Sequence, residues 1–151
     1  MPRPDYTISD LRVYLDEKRT ELNDIRKGGI PPVNRYLMDM GNSLGVFPDI
    51  WKTAENQVKG CTAKVYIAAT EADGRMFYMA HSDSKLVRGQ LALLVNGLNR
   101  LTPMDIIEHA EACISDFVKH TDVRFSMTRS RTNSMGMLFL FMQQKAIPYL
   151  H

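Results

Sequence analysis

Apolar residues recur at three- and four-residue intervals through the first part of the chain, which is the spacing of one face of an amphipathic helix. The first such stripe predicts a helix over 8–25, ended by the glycines at 28–29. The prolines at 31–32 keep that helix from resuming, and a second stripe predicts a helix over 33–44. Because exposed apolar stripes are rare in monomers, we expect the 8–25 helix to dock on the domain rather than offer its stripe to a partner or a second copy.

The middle of the chain changes to a period of two, which is typical of β-strands. Apolar and polar or small residues alternate over 65–69, and a partner strand is predicted over 75–80. Between them, Asp73 and Gly74 can supply the positive φ angles of a tight hairpin turn. A brief strand at 57–59 would add a third, so the sequence predicts a small three-stranded antiparallel sheet whose open edges need covering by helices.

Helical spacing returns in the last part of the chain. A helix capped at 82–84 carries Gly89 in its interior, where glycine is costly unless another backbone packs close. Further helices are predicted from Thr102, over 111–119, and in a last segment that runs out near Pro148. Helices, then a few strands, then helices indicate an α+β fold rather than alternating βαβ units.

Length and composition narrow the class of protein. A chain of 151 residues with 44% hydrophobic residues fits one globular domain. A net charge of +2 without a long basic run gives no reason to expect nucleic acid as a partner, and no apolar segment approaches the length of a membrane span. No secretory signal is visible, and ten methionines with two cysteines in no framework spacing suit a reducing compartment, so we expect the cytoplasm. Neither CxxC nor HExxH occurs, so no metal site and no cofactor is expected.

The candidate chemistry lies in the stretch Gln-Val-Lys-Gly-Cys-Thr-Ala-Lys-Val at 57–65. Gly60 allows backbone angles that place the Cys61 side chain outward, and Lys59 and Lys64 bracket the sulfur. Nearby positive charge lowers the pKa of a thiol and favours the nucleophilic thiolate. We therefore interpret Cys61 as a working thiol on a loop, against the plainer interpretation of a partly buried structural cysteine.

Several segments along the chain form one recognisable pattern. They are Tyr-Leu at 36–37, Met-Gly-Asn-Ser-Leu at 40–44, Phe-Pro at 47–48, Val-Lys-Gly-Cys-Thr-Ala-Lys-Val at 58–65, Ser-Asp-Ser-Lys-Leu-Val-Arg-Gly at 82–89, Leu-Thr-Pro-Met-Asp-Ile at 101–106 and Thr-Arg-Ser-Arg at 128–131. In residues and spacing they resemble the SufE family of sulfur-acceptor proteins, also called Fe–S metabolism associated domains. We therefore expect an N-terminal helical extension at 1–30 and a SufE-like sulfur acceptor domain at 31–151. The chain departs from the family at Ser134, where glycine is frequent, and at His81, where an acidic residue is frequent.

The resemblance implies a fold in which helices flank a small antiparallel sheet, shared with Fe–S scaffold proteins of the IscU type. It implies that Cys61 accepts sulfur from the persulfide of a pyridoxal-phosphate cysteine desulfurase, of the SufS or CsdA kind, and stimulates that enzyme. The sulfur would then pass to an Fe–S scaffold such as SufBCD. In that case the chain is a persulfide carrier rather than an enzyme with a small-molecule pocket.

The resemblance also places Asp83 and Arg131 near the active loop. Asp83 stands where a helix is predicted to begin, so capping that helix, holding the cysteine loop, or both would explain it. Arg131 could pair with Asp83, support the persulfide anion, or face water.

Sulfur transfer needs one accessible thiol without a resolving neighbour, because a second thiol would discharge the persulfide as sulfide. We expect Cys113 to lie in the core on the apolar face of its helix, which leaves Cys61 as the reactive thiol.

Two other functions stay open. Cys61 with His81 as its base would suit a redox sensor or a thiol enzyme, although no third residue is seen to orient the histidine. Alternatively, the thiol is incidental and the 8–25 helix is the contact of an interaction module.

Overall fold

Helices surround a single β-hairpin in the computed structural model, which describes residues 5–60, 63–121 and 134–150. In chain order the elements are α1 (Ile8–Arg26), α2 (Ile30–Gly41), β1 (Val65–Ala72), β2 (Arg75–Ser82), α3 (Lys85–Leu98), α4 (Pro103–Glu108), α5 (Ala110–Thr121) and α6 (Ser134–Ala146). Short 3₁₀ turns follow at Asn42–Leu44, Asp49–Trp51 and Ile147–Tyr149. The predicted α+β class is confirmed, and none of the helices in the described ranges is long and apolar enough to cross a membrane.

The hairpin pairs β1 with β2 in antiparallel register, from Val65 opposite Ser82 to Ala72 opposite Arg75. Its two-residue turn has φ angles of 54° at Asp73 and 77° at Gly74, as predicted for an Asp-Gly hairpin. The hairpin continues to Ser82, two residues further than the alternation indicated.

The predicted third strand is wrong: the described part of the chain has a two-stranded sheet. Gln57 forms only an isolated bridge with Tyr66, flanked by hydrogen bonds from Val58 N to Val65 O (2.9 Å) and from Ile67 N to Asn56 O (2.8 Å). Pairing is short because the chain approaches β1 for only three residues before it turns away beyond Val58.

The inner face of the hairpin and α3 form the centre of the core. On the hairpin the buried inner residues are Val65, Ile67, Met76, Tyr78 and Ala80. Ten of the fourteen residues of α3 are buried, so this helix is enclosed by its neighbours on nearly all sides. Among the described helices, α3 therefore has the largest share of buried residues.

Two glycines bring α2 and α3 into close contact. A Cβ built on Gly89 would lie 2.6 Å from the carbonyl carbon and 2.8 Å from the Cβ of Leu37. A Cβ built on Gly41 would lie 2.8 Å from the Cβ of Arg88. Gly89 is therefore tolerated in mid-helix for the reason the sequence suggested, since the backbone of α2 occupies the space of a side chain.

The helix α1 is docked along its apolar stripe, with Leu11, Leu15 and Leu22 buried, and it ends one residue after the predicted boundary. Two tyrosines join its start to α3: the Tyr6 hydroxyl donates to Gly97 O (2.8 Å) and the Tyr14 hydroxyl donates to Leu93 O (3.0 Å). The division of the chain at residue 30 stays a prediction.

The helix α2 begins three residues before the predicted start, because Pro31 and Pro32 lie inside its first turn. Proline is favourable there, since the first backbone N–H groups of a helix have no intrahelical acceptor to lose. The prolines therefore begin the second helix as well as separating it from the first.

The core placement predicted for Cys113 is wrong. Ile114 and Phe117 are buried, whereas Cys113 is only partly buried and lines a surface groove of about 410 Å³ between α1 and α5. Its Sγ lies 3.7 Å from His109 O, one helical turn earlier. The reason is helical geometry: consecutive residues are rotated by about 100°, so a residue next to a core position falls at the edge of the buried stripe.

Candidate functional site

The candidate site is the segment 59–64, which we call the thiol loop. Its base is closed where Val58 N donates to Val65 O (2.9 Å). Cys61 and Thr62 lie outside the described residues, so the structure shows the flanks of the loop rather than its middle.

Three of the four described residues of the thiol loop are exposed, and the fourth, Ala63, is partly buried against the core. Gly60 has φ of 87°, a left-handed conformation that favours glycine, as the sequence indicated for the residue before the cysteine. Lys59 and Lys64 are exposed on either side of the undescribed pair. The Lys59 ammonium donates to the amide oxygen of Gln57 (3.3 Å), a neutral acceptor that leaves its positive charge available to the loop.

Asp83 binds the C-terminal end of the thiol loop. Its Oδ1 accepts a hydrogen bond from Lys64 N (3.1 Å), and its own N–H points to Lys64 O (3.4 Å). The N-cap of α3 is Ser84 instead, whose Oγ accepts from Val87 N (3.3 Å). Capping by Asp83 is therefore wrong, and the structure favours the alternative in which this carboxylate fixes the loop.

Asn56 lies just before the thiol loop and connects neighbouring segments by hydrogen bonds, a role that sequence reasoning missed. Its carbonyl accepts from Ile67 N (2.8 Å), its Nδ2 donates to Trp51 O (2.9 Å), and its Oδ1 accepts from the Lys145 ammonium. Burial lowers the pKa of Lys145. The backbone carbonyl and the side chain of Asn56 thus bind three separate segments, and only the fold brings these together, so the sequence carried no signal for this role.

His81 faces aromatic and cationic neighbours rather than a carboxylate partner. Its ring packs 6.2 Å from the ring of Phe47, and its Nδ1 lies 3.3 Å from the guanidinium of Arg88. Burial, followed by the positive charges of Lys52 and Arg88, lowers the pKa of His81, with a smaller opposing effect of Asp83. The neutral form of the ring is therefore favoured, and its described hydrogen-bond neighbour is a cation, unlike the carboxylate that orients the histidine of a triad.

A short apolar segment lies beside the site. Phe47 is buried and packs against Tyr66 and His81 on the outer face of the hairpin. Its neighbours Val46 and Ile50 are 87% and 80% exposed. Trp51 meets the ring of Phe47 edge-on and is 40% exposed.

Of the three predicted site residues, Asp83 is placed by the structure, while Cys61 and Arg131 lie outside the described residues. The interaction predicted between Asp83 and Arg131 stays a prediction for the same reason. Within the described ranges, no group of three or more His, Cys, Asp or Glu side chains could hold a metal ion.

Comparison with known proteins gives a family and a fold. The SufE family model, described as an Fe–S metabolism associated domain, matches residues 33–146. The chain is 41% identical over 120 residues to an uncharacterized SufE-like protein of Synechocystis, covering 78% of this chain and 73% of that protein. It is 26% identical over 105 residues to the sulfur acceptor protein CsdE of Escherichia coli, covering 69% of each.

Other relatives are longer than this chain. A chloroplastic/mitochondrial SufE-like protein of Arabidopsis thaliana is 33% identical over 136 residues, which is 88% of this chain but 36% of that protein. Among solved structures, the solution structure of a hypothetical protein from Thermus thermophilus superposes with a TM-score of 0.69, at 15% identity, over 90% of this chain and 95% of that one. At that identity the likeness establishes the fold alone.

Proposed function

This chain belongs to the SufE family of Fe–S metabolism associated domains, and on that basis we propose that it is a sulfur carrier whose Cys61 accepts sulfur from a cysteine desulfurase. The family match includes the Gly-Cys pair at 60–61, and the relative CsdE is named a sulfur acceptor protein. The observation that carries the proposal is the closure of the thiol loop at both ends, with the exposed lysines Lys59 and Lys64 on its flanks.

A loop that is fixed at its base and exposed along its flanks suits a thiol that must enter another protein's active site. The bond from Val58 to Val65 closes the base, and Asp83 fixes the backbone of Lys64. Fixed ends reduce the conformational entropy that is lost when the loop is ordered in a complex.

The transfer is a thiol–persulfide exchange. The Cys61 thiolate attacks the terminal sulfur of the donor persulfide, a sulfur–sulfur bond forms on Cys61, and the donor cysteine leaves as a thiolate. No oxidant or reductant is consumed, because one sulfur–sulfur bond replaces another. The exposed ammonium groups of Lys59 and Lys64 favour the attacking thiolate electrostatically and counter the charge of the persulfide that forms.

Asp83 acts in this proposal as a positioning residue, since it touches the loop backbone rather than the sulfur. Arg131 would support the persulfide anion through its guanidinium. Residues 31–151 would form the acceptor domain and residues 1–30 its N-terminal extension.

The partners follow from the reaction. The donor would be a desulfurase of the SufS or CsdA kind, whose turnover rises when its persulfide is removed, and the sulfur would pass on to an Fe–S scaffold such as SufBCD. The chain would carry sulfur without turning over a small molecule itself. It would work in the cytoplasm, where thiols stay reduced.

The test is the mass of the protein after incubation with a desulfurase and cysteine without reductant. We expect one or more added sulfur atoms on the peptide that contains Cys61. The chain has two cysteines, so C113S and C61S form a matched pair in which each variant keeps a single thiol. Sulfur should appear on C113S and not on C61S, and stimulation of the desulfurase should follow the same pattern. Loading of C61S, or no loading of the wild-type chain by desulfurases of several types, would contradict the proposal.

A substitution of His81 tests the alternative in which Cys61 serves a thiol enzyme or a redox sensor. If His81 were the base for Cys61, H81Q would slow the oxidation of the purified protein by peroxide. We expect H81Q to leave peroxide sensitivity unchanged, because the described geometry sets Arg88 against the Nδ1 atom.

A further inference from the structure

The segment from Gly45 to Trp51 shows an unusual distribution of burial. Its one buried side chain, Phe47, is flanked by Val46 and Ile50, which are among the most exposed apolar side chains of the described residues. We call Val46, Ile50 and Trp51 the apolar face. Large side chains of this kind in one short segment are typical of a surface that another protein covers.

The apolar face is held in place rather than loosely attached. Phe47 fixes one side through its ring contacts with Tyr66 and His81. The 3₁₀ turn closes with a hydrogen bond from Trp51 N to Pro48 O (3.0 Å), and Asn56 Nδ2 donates to Trp51 O (2.9 Å). A surface that is ordered before binding loses little conformational entropy on association.

The apolar face adjoins the thiol loop through shared residues. Tyr66 and His81 are paired across the hairpin, directly after the pair Val65 and Ser82 at which the thiol loop joins β1. Asn56 donates a hydrogen bond to Trp51 O through its side chain, and its backbone carbonyl accepts one from Ile67 N beside the base of the thiol loop. A protein that receives the thiol loop must therefore pass close to this face.

On the other side, the apolar face continues along the outer surface of the hairpin. Trp51 forms one wall of a cavity of about 620 Å³ whose floor includes Ala68, Phe77 and Met79. On the rim of the face, Lys52 is paired with Asp49 (3.0 Å), so that pair adds little net charge. An apolar centre with a charge-balanced polar rim is the usual composition of a protein interface.

We propose that the apolar face is the docking surface for the cysteine desulfurase, which rests against Val46, Ile50 and Trp51 while the thiol loop enters its active site. This rests on the proposed function. A second copy of the chain on the same face would cover the approach to the thiol loop and block transfer, so the desulfurase is the occupant that continuity with the loop favours. The face contributes affinity, and the loop contributes chemistry.

The experiment uses the full chain and the desulfurase that loads Cys61 in the mass assay. The test variant is V46S/I50S, and the matched control V13S/I30S makes the same substitutions at side chains that are 59% and 51% exposed on α1 and α2. The half-saturating concentration for sulfur transfer should rise about tenfold or more in V46S/I50S, with transfer at saturation unchanged. The control and the alkylation rate of Cys61 by iodoacetamide should match the wild type.

A second measurement needs no sulfur chemistry. Trp51 is the chain's one tryptophan, so 5-fluorotryptophan labelling gives one ¹⁹F resonance. In a C61S background this resonance should shift when unlabelled desulfurase is added.

Unchanged half-saturation in V46S/I50S, with a resonance that does not move, would overturn the docking surface while leaving the sulfur carrier intact. Loss of self-association in V46S/I50S, with unchanged transfer, would assign the face to a second copy and overturn the proposal. Failure of wild-type loading by every desulfurase would overturn both inferences at once.

Discussion

The carboxylate of Asp83 offers a direct test of how the thiol loop is held. In D83A, the N–H of Lys64 loses the acceptor that lies 3.1 Å away in the wild type. In D83N, an amide oxygen of the same shape remains without the charge. The pair therefore separates the loss of a hydrogen bond from the loss of a negative charge beside the loop.

The magnitude follows from the type of bond. A net hydrogen bond contributes about 0.5–1.5 kcal/mol, and one to a charged group contributes more. Because Asp83 is exposed, solvent competes for its carboxylate, and we take about 1 kcal/mol for the contact. This corresponds to about a fivefold increase in the local opening of the backbone at Lys64 in D83A. D83N should lie between D83A and the wild type, since a neutral acceptor is weaker than a charged one.

Amide hydrogen exchange at Lys64 measures this opening without relying on sulfur transfer. The N–H of Val58, which donates to Val65 on the other side of the loop base, serves as an internal reference and should keep its exchange rate. D24A provides a control for removal of an exposed negative charge, because the Asp24 carboxylate pairs only with Lys27, directly after α1, among the contacts described.

We expect D83A to raise the exchange rate of Lys64 about fivefold, with D24A equal to the wild type. Sulfur loading of Cys61 should slow in the same order, with D83A slowest. An exchange rate at Lys64 that is the same in D83A and the wild type would refute the idea that Asp83 fixes the loop, whatever happens to transfer.

Two further predictions concern the scaffold around the site. G89A should lower the free energy of unfolding by about 2 kcal/mol and Tm by about 4–8 °C in denaturation experiments, because its Cβ would lie 2.6 Å from the carbonyl carbon of Leu37. G136A has nothing described within 4 Å of its Cβ and should raise the free energy of unfolding by about 0.5–1 kcal/mol. Equal stability of the two variants would contradict the packing argument. Burial raises the pKa of Tyr78, whose hydroxyl donates to Met142 O (2.7 Å). The neutral phenol is favoured in the folded state, so its contribution to stability is complete below about pH 10 and falls as the pH rises above that value. Urea denaturation between pH 8 and 11 should show a smaller loss of stability in Y78F than in the wild type. The same dependence of unfolding free energy on pH in both proteins would refute the role of the Tyr78 hydroxyl.

Sequence reasoning succeeded where local chemistry determines structure. The stripe of α1 gave its boundaries to within one residue, and the turn at 73–74 was predicted because an Asp-Gly pair accepts positive φ at little cost. The glycine at Gly89 was correctly taken as a sign of close backbone contact. In each case the residues that decide the structure are near one another in the chain.

Sequence reasoning failed where distant segments meet. The hydrogen bonds of Asn56 to Trp51 and Lys145 join residues up to 89 positions apart, and no local pattern encodes them. Whether Asp83 caps a helix or binds Lys64 depends on a loop 19 residues earlier, since both roles suit an aspartate before a helix. Cys113 was misplaced because periodicity does not resolve the edge of a buried stripe from its centre.

The length of the hairpin sets the distance between the thiol loop and the turn at the opposite end of the two strands. One end receives the thiol loop, and the other is the exposed turn at Asp73 and Gly74. Each strand is eight residues long, so the ends are about 24 Å apart. A fluorophore or surface tether placed at the exposed Ala72 would therefore stay clear of the reactive end. The protein could be immobilised by this tip with its sulfur chemistry directed away from the support.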